Sequence, residues 1–180
     1  MIGPNTMIIK DKEFAPFIES TRIQEKVAQL AARINDDYAD KNPLLLAVLN
    51  GSFMFAADLM RNMCIPAEIS FIRLSSYNRT RSTGRVKELI GLEENIFGRH
   101  LIIVEDIVDT GLTIRHLLDE LQELGPKSLE IATLLHKSAA TKESLTLKYV
   151  GFDIPQKFVV GYGLDYDGQG RNLNDIYSLA

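Results

Sequence analysis

The residues with the clearest chemical potential lie together in the middle of the chain. An apolar run, Leu101 to Val104, is followed by two adjacent acids, Glu105 and Asp106. The run is typical of a buried strand, and the acids would lie at its carboxyl end, where open α/β sheets bind ligands. Carboxylate oxygens at such an edge are suitable ligands for Mg²⁺.

A turn that is suited to an anion follows these acids. Residues 109–113 read Asp-Thr-Gly-Leu-Thr, and a helical pattern starts directly behind them. Backbone N–H groups at the start of a helix bind phosphate. The segment therefore predicts a site for a phosphorylated sugar that carries a metal-bound diphosphate. The alternative is an ordinary strand–turn–helix with solvated acids, which does not account for acids, hydroxyls and glycine converging at one strand end.

Composition and charge are those of an ordinary globular chain. The 180 residues are 46% hydrophobic and 24% charged, with a formal net charge of −4. We expect one domain over residues 1–180, and neither nucleic acid nor an anionic membrane is indicated as a partner. Cys64 is the only cysteine, which fits a reducing compartment, and we expect it to be buried beside Met63 and Ile65.

The chain carries no segment that predicts export or membrane insertion. No apolar run approaches the ~18 residues of a membrane helix. The first residues lack the long apolar stretch of a signal peptide. We therefore expect a cytoplasmic protein.

Hydrophobic patterning predicts strands that alternate with helices. Helical spacing covers 17–35, 53–63 and 113–124, and Ser20 or Thr21 is a predicted cap of the first helix. Strand patterns cover 43–49, 67–74, 85–91, 101–104, 128–135 and 158–160, with a polar loop at 75–84. This alternation predicts an α/β fold with a mostly parallel central sheet flanked by helices. Neither GxGxxG nor GxxxxGK[ST] occurs, which argues against a dinucleotide or P-loop site.

The central segment resembles the 5-phosphoribosyl 1-diphosphate (PRPP) binding motif of the type I phosphoribosyltransferases. It reads VEDIVDTGLT from Val104 to Thr113, and the similarity runs from about Pro43 to the chain end. The resemblance is to the hypoxanthine-guanine branch of that family. It implies the family fold, with a small hood subdomain (largely 149–180 plus N-terminal residues) and a mobile flap at about 75–91. It also implies PRPP and a purine base as partners, Mg²⁺ as cofactor, and a homodimer or homotetramer.

The resemblance further implies which residues bind PRPP and its metal. The ribose and 5′-phosphate would be held by Glu105, Asp106, Asp109, Thr110, Gly111, the backbone of Leu112, and Thr113. The diphosphate would contact Asn50, Gly51, Ser52 and Arg171, with a cis peptide at Leu49–Asn50. The metal would be held by Glu105, Asp106 and Asp165, and the flap would contribute Ser76 and Tyr77. Many relatives have Lys at the position of Asn50, so this chain lacks one charge contact to the diphosphate.

Recognition of the purine is implied for the carboxyl-terminal part of the chain. By resemblance, Lys137 donates to the 6-oxygen of the base, Phe158 stacks on its ring, and the backbone near Val159 and Asp165 reads its edge. An ammonium is a donor only, which favours a 6-oxopurine over adenine. Asp109 would accept the proton from N7 as general base, while Lys137 stabilises charge on O6. The run at 167–170 is less charged than in relatives and contains two glycines.

Several alternatives stay open at this point. The order of preference among hypoxanthine, guanine and xanthine is not specified, because these bases differ at C2 and backbone carbonyls read that edge. A transferase for adenine or uracil is disfavoured by Lys137 together with Phe158 and Val159. A PRPP-sensing regulator that binds RNA is disfavoured by the acidic net charge. A purely structural α/β domain predicts no stabilisation by PRPP.

Overall fold

The computed structural model describes residues 6–77 and 86–180, and for 75–77 and 86–90 it describes the backbone alone. The strands are β1 (Met7–Ile9), β2 (Lys12–Ile18), β3 (Leu44–Leu49), β4 (Glu68–Tyr77), β5 (Val86–Ile90), β6 (His100–Val108), β7 (Ser128–His136), β8 (Tyr149–Asp153), β9 (Val159–Val160) and β10 (Ile176–Leu179). The helices are α1 (Ser20–Asp37), α2 (Phe53–Arg61) and α3 (Leu112–Glu123).

These strands form two sheets. The larger has the order β5-β4-β3-β6-β7-β8, with β5 antiparallel to β4 and the other neighbours parallel. The predicted α/β fold with a mostly parallel central sheet is thereby confirmed. The smaller, antiparallel sheet has the order β1-β2-β10-β9 and joins the two ends of the chain. Since β8 pairs in the larger sheet, residues 149–153 of the predicted hood lie outside the smaller one.

Helices cover both faces of the larger sheet, which explains why its central strands read as continuous apolar runs. Along β3, side chains alternate between the faces. Leu45 and Ala47 pack in one core with the buried residues of α1 and α2. Leu44 and Leu46 pack in a second core with the buried residues of α3. The sheet is therefore a rigid middle layer whose strand ends are fixed relative to each other.

The start of α1 differs from the sequence prediction. The helix begins at Ser20, since the preceding residues up to Ile18 belong to β2 and pair with β10. No side chain of α1 caps it, so the prediction of a Ser20 or Thr21 cap is wrong. Instead the Ser20 N–H donates to Oδ1 of Asp175 at 2.7 Å. A distant carboxylate near β10 satisfies one of the N–H groups that a helix start leaves unpaired.

Two further predictions are corrected. The predicted loop at 75–84 is extended in its first residues, because β4 continues to Tyr77 and pairs with β5. Cys64 is exposed rather than buried, because α2 ends at Arg61 and Cys64 lies in the connection to β4. Its N–H donates to Oδ1 of Asn35 at 3.0 Å. Within the described residues, no helix combines the length and apolar character that a bilayer crossing requires.

The topology brings three chain segments to one edge of the larger sheet. β3, β6 and β7 are consecutive neighbours and run parallel. The residues that follow each strand therefore lie side by side at the carboxyl edge, the usual place for a ligand in an open α/β sheet. They are residues 50–52 after β3, 109–111 after β6, and the segment that starts at Lys137 after β7.

Candidate functional site

Glu105 and Asp106, the acids of the central motif, lie in the last part of β6. The side chain of Asp106 packs against the loop after β3. A Cβ atom built on Gly51 would come within 1.5 Å of Oδ2 of Asp106, so this close approach requires glycine. The Ile107 N–H donates to Oδ1 of Asp106 at 2.9 Å. Burial raises the pKa of Asp106 to about 6; Arg171 opposes this rise and the Asp165 carboxylate adds to it. Burial therefore disfavours the ionised form of the Asp106 carboxylate.

The loop after β3 has the backbone geometry that the resemblance implied. The peptide bond between Leu49 and Asn50 is cis, as predicted. Ser52 is fully buried, and its hydroxyl donates to the Val48 carbonyl at 2.6 Å, which closes the turn before α2. Asn50 is exposed at the tip of the turn.

A second loop, from the smaller sheet, packs on this turn. Gly163 has φ +99°, and a Cβ atom there would lie 2.1 Å from the carbonyl oxygen of Gly51. Arg171 donates to the Gly163 carbonyl at 2.6 Å and forms an ion pair with Asp165 at 2.6 Å. The other oxygen of Asp165 accepts from the Gly168 N–H at 2.7 Å. The Arg171 guanidinium is thus held in place from two sides, close to Gly51 and Asp106.

The loops after β6 and β7 meet at an ion pair. The Lys137 ammonium lies 2.6 Å from Oδ2 of Asp109. The side chain of Lys137 is 12% exposed, whereas that of Asp109 is 51% exposed. The Lys137 N–H donates to the Val108 carbonyl at 2.9 Å, which fixes where the lysine leaves the backbone. A donor and an acceptor therefore stand side by side at the surface of the site.

The segment after Lys137 folds back over the start of α3. The Thr141 hydroxyl lies 2.8 Å from the Asp109 carbonyl and 3.0 Å from Nε2 of His136. The Lys142 N–H donates to the Thr110 carbonyl at 3.1 Å. Gly111 precedes α3 with φ +84°, and a Cβ atom there would contact the side chains of this segment. Residues 109–113, the predicted phosphate turn, and residues 137–142, the lysine loop, therefore form one hydrogen-bonded unit.

An open cleft of about 460 Å³ lies over this unit. Its lining includes Asp109, Thr110 and Lys137 from the loops after β6 and β7, and Gln156, Lys157 and Phe158 from the segment before β9. Phe158 is 45% exposed, although its neighbour Val159 is buried in β9. A half-exposed aromatic ring at the wall of a cleft is suited to stacking on a flat ligand.

The structure thus gathers eight of the predicted site residues into two groups. One surrounds Asp106 and contains Gly51, Asp165 and Arg171. The other surrounds the Lys137–Asp109 pair and contains Thr110 and Phe158. Leu112 and Thr113 open α3, with the Leu112 side chain 58% exposed. The side chains of Ser76 and Tyr77, and residues 78–85 of the predicted flap, lie outside the described residues.

Sequence reasoning missed two residues that shape these groups. Thr141 ties the lysine loop to the phosphate turn, and Gly163 allows the second loop to touch the first. The contact of Thr141 with Asp109 spans 32 residues of sequence, so no local pattern marks it. A glycine between Tyr162 and Leu164 was a weak signal of a close backbone approach.

Comparison with known proteins gives the class that this fold and site define. Residues 19–167 match the family model for the phosphoribosyl transferase domain, and the chain belongs to that family. Similar proteins show which branch of this family the chain resembles. The chain is 41% identical over 169 residues to the hypoxanthine-guanine phosphoribosyltransferase of Mycobacterium tuberculosis, with 90% of this chain and 84% of the relative covered.

Two further similar proteins come from other organisms. The hypoxanthine-guanine-xanthine phosphoribosyltransferase of Tritrichomonas foetus is 40% identical over 152 residues, with 84% and 83% of the two chains covered. A crystal structure of a hypoxanthine-guanine phosphoribosyltransferase from Bacillus anthracis superposes with a TM-score of 0.84 at 40% identity, covering 98% of this chain and all of that one. The resemblance to the hypoxanthine-guanine branch is confirmed.

Proposed function

We propose that this chain transfers the 5-phosphoribosyl group of PRPP to a 6-oxopurine, hypoxanthine and/or guanine, and releases diphosphate and a nucleoside 5′-monophosphate. Such a reaction salvages free purine bases. The observation that carries the proposal is the convergence of the phosphate turn, the Lys137–Asp109 pair and the half-exposed Phe158 on one cleft.

The Lys137–Asp109 pair matches one edge of a 6-oxopurine. That edge carries O6, an acceptor, beside N7, which bears a proton during the reaction. Lys137 is a pure donor and an ionised Asp109 is a pure acceptor, and their charged atoms are 2.6 Å apart. In the proposed complex Lys137 donates to O6 while Asp109 accepts the N7 proton. Adenine presents a donor at position 6, which would face the lysine ammonium and lose this bond.

The sugar phosphate would be anchored away from the reacting bond. We assign the 5′-phosphate to the N–H groups and hydroxyls of residues 109–113, at the N-terminus of α3. Glu105 and Asp106 would hold the ribose hydroxyls. Anchoring both ends of PRPP orients the anomeric carbon toward the base, and this orientation is itself a large contribution to rate.

The leaving diphosphate needs positive charge and backbone donors. Arg171 is already oriented by Gly163 and Asp165, and a guanidinium is suited to bidentate contact with phosphate. We assign the backbone of Gly51 and Ser52, with the amide of Asn50, to the same group. The sugar carbon develops positive charge as diphosphate departs, so stabilising the departing charge accelerates the step.

Mg²⁺ fits this donor set and is proposed as the cofactor. The Asp165 carboxylate helps to raise the pKa of Asp106, and a cation beside the two carboxylates would relieve that repulsion. Among the described residues no three His, Cys, Asp or Glu side chains converge as a metal cage. Mg²⁺ keeps several waters, and we propose that Glu105, Asp106 and Asp165 would hold it partly through those waters rather than all three directly. When bound, it would neutralise charge on the diphosphate.

The remaining features that the resemblance implies are also part of this proposal. The chain ends, with the smaller sheet, would form the hood over the base, and residues 75–91 would form the flap that excludes water. We further propose a homodimer or homotetramer that works in the cytoplasm.

The test is a direct assay of nucleotide formation. The protein is incubated with PRPP, Mg²⁺ and one of hypoxanthine, guanine, xanthine or adenine, and products are separated by chromatography. We expect at least one 6-oxopurine to be converted, only when PRPP is present, and adenine to be left unchanged. Conversion of adenine at the rate of the best 6-oxopurine, or of no 6-oxopurine at all, would overturn the proposal.

A further inference from the structure

The turn between β1 and β2 reaches across to the loop that follows β9. Oδ1 of Asp11 accepts a hydrogen bond from the Tyr166 hydroxyl at 2.8 Å. The Lys12 ammonium lies 4.9 Å from the centroid of the same ring, within the range of a cation–π contact. Lys10 forms an ion pair with Asp167. The N-terminal turn therefore holds Tyr166 by its hydroxyl and by its ring.

This hydrogen bond ends on a carboxylate. The Tyr166 hydroxyl holds the pKa of Asp11 below its usual value, and this hydrogen bond is the largest cause of the shift. At neutral pH a hydroxyl therefore donates to an ionised carboxylate, which makes the bond stronger than one between neutral groups.

Tyr166 in turn supports Phe158. The two ring centroids are 5.8 Å apart and the rings are nearly perpendicular, at 85°. Phe14 of β2, which is fully buried, lies 6.2 Å from Phe158 and 6.1 Å from Tyr166. The edge-to-face contact with Tyr166 is a preferred geometry of aromatic pairs and holds the two rings in a defined relative orientation. Phe158 therefore contacts two rings and is still 45% exposed at the cleft.

We propose that Asp11 and Tyr166 are positioning residues for purine binding, which act by fixing the ring plane of Phe158. This inference rests on the proposed function, because it takes Phe158 as the surface on which the base stacks. A stacking ring that is held before the ligand arrives costs less ordering when the ligand binds. The N-terminal turn, far from the base-site residues in sequence, thereby becomes part of base recognition.

The test compares two ligands that share the sugar phosphate. Dissociation constants for inosine 5′-monophosphate and for ribose 5-phosphate are measured by calorimetry on Asp11→Asn, on Tyr166→Phe and on the double variant. We expect the nucleotide to bind roughly three- to tenfold more weakly, because binding must then order a ring that is no longer held in advance. Ribose 5-phosphate binding is expected to stay within about twofold, and the double variant to be no weaker than the poorer single variant, since both changes remove one contact.

Control variants separate this role from a general structural one. Tyr177→Phe removes a hydroxyl that donates to Asp175 at 3.5 Å in the same sheet, and it should leave both constants unchanged. Asp11→Glu, which retains the charge, should recover part of the nucleotide affinity. Thermal melts confirm that each variant is folded.

The outcomes distinguish this inference from the proposed function. If the wild-type protein binds inosine 5′-monophosphate and the variants bind it equally well, the positioning role is wrong and the proposed function stands. A matching loss for ribose 5-phosphate would also overturn it, because the turn would then act on the whole site. Absence of nucleotide binding by the wild-type protein would count against the proposed function itself.

Discussion

At the scale of single residues, the proposed site contains a donor and an acceptor that pair with each other in the structure. Lys137 and Asp109 come from different loops, and their contact at 2.6 Å leaves the lysine mostly covered and the aspartate half exposed. The pair has no net charge, so the cleft can accept a neutral base. On binding, the two groups would exchange their mutual contact for O6 and N7 of the purine.

The role of Asp109 as general base predicts a specific kinetic defect. Asp109→Asn keeps the shape of the side chain but removes its capacity to accept a proton. We expect kcat to fall by roughly 10²- to 10⁴-fold, the usual contribution of general acid–base catalysis. PRPP binding should be largely retained, because the phosphate turn binds through backbone N–H groups and hydroxyls. Steady-state kinetics with a PRPP titration checks this, and an unchanged kcat would remove Asp109 as the base.

The role of Lys137 predicts a defect in base binding. Lys137→Met retains the aliphatic stem but loses the donor to O6. We expect KM for the 6-oxopurine to rise by roughly tenfold or more, as loss of a charged hydrogen bond implies, with a smaller change in KM for PRPP. Lys157→Met is the matched control, because Lys157 is a second lysine that lines the same cleft. Equal rises in both KM values for Lys137→Met would argue against a purine-specific role.

At the scale of elements, the site is assembled by close contacts that only glycine permits. Asp106 of β6 touches Gly51 after β3, and the Gly51 carbonyl in turn touches Gly163 of the smaller sheet. Each contact joins segments that are distant in sequence, so the position of each loop depends on the others. The two sheets are therefore connected at the proposed diphosphate position.

This contact predicts different effects for two glycines of one loop. Gly163→Ala places a methyl group 2.1 Å from the Gly51 carbonyl, while Gly168→Ala places one in open space. Both positions have positive φ, +99° and +83°, so they share a backbone cost of about 1–2 kcal/mol. We expect KM for PRPP to rise by roughly tenfold or more in Gly163→Ala alone, since the diphosphate loop must move. Comparable KM values for the two variants would contradict the account.

A second element-level contact makes stability depend on pH. Oδ2 of Asp37, at the end of α1, accepts from the Tyr149 hydroxyl of β8 at 2.6 Å and lies 3.1 Å from the Lys148 ammonium. These bonds, that of Tyr149 foremost, hold the pKa of Asp37 below its usual value. A lowered folded pKa means that ionised Asp37 adds stability above its unfolded pKa of about 3.9, and that this stability is lost as pH falls through the folded pKa.

Asp37→Asn should therefore destabilise the protein in a pH-dependent manner. We expect a loss of about 1 kcal/mol in the free energy of unfolding at pH 7, a modest value because the carboxylate is partly exposed. The difference from the wild-type protein should shrink below about pH 4. Denaturant unfolding at several pH values measures it, with the exposed Asp36→Asn as control. A difference that is constant with pH would show that ionisation of Asp37 does not contribute.

At the scale of the whole molecule, the sequence predicted the parts that depend on local patterning. The apolar runs of β3, β6 and β7 and the amphipathic helices were recognisable, because burial on both faces of a parallel sheet leaves a continuous signal. β1, β2, β8 and β10 were not predicted. These strands are short or polar on one side, and β2 and β8 are interrupted by Pro16 and Gly151. Most of them are defined by pairing between distant parts of the chain.

The site residues divide in the same way, into those that the local sequence marks and those that only the fold brings together. The acids and the phosphate turn could be located from residue types alone, because strand, carboxylates and glycine occur within thirteen positions, Leu101 to Thr113. The purine-site residues were reached only through the resemblance to a family. The contacts of Thr141, Gly163 and Tyr166 followed from the fold, since each joins loops that only the tertiary structure brings together.

The most direct test of the account is a crystal structure of the protein with the product nucleotide, Mg²⁺ and diphosphate. We predict the 5′-phosphate at the N–H groups of residues 110–113 and the purine ring on Phe158. O6 should lie within hydrogen-bond distance of the Lys137 ammonium, and diphosphate should lie beside Arg171 and Gly51. A nucleotide bound with its phosphate away from the α3 N-terminus, or with its base away from Lys137 and Phe158, would contradict the account.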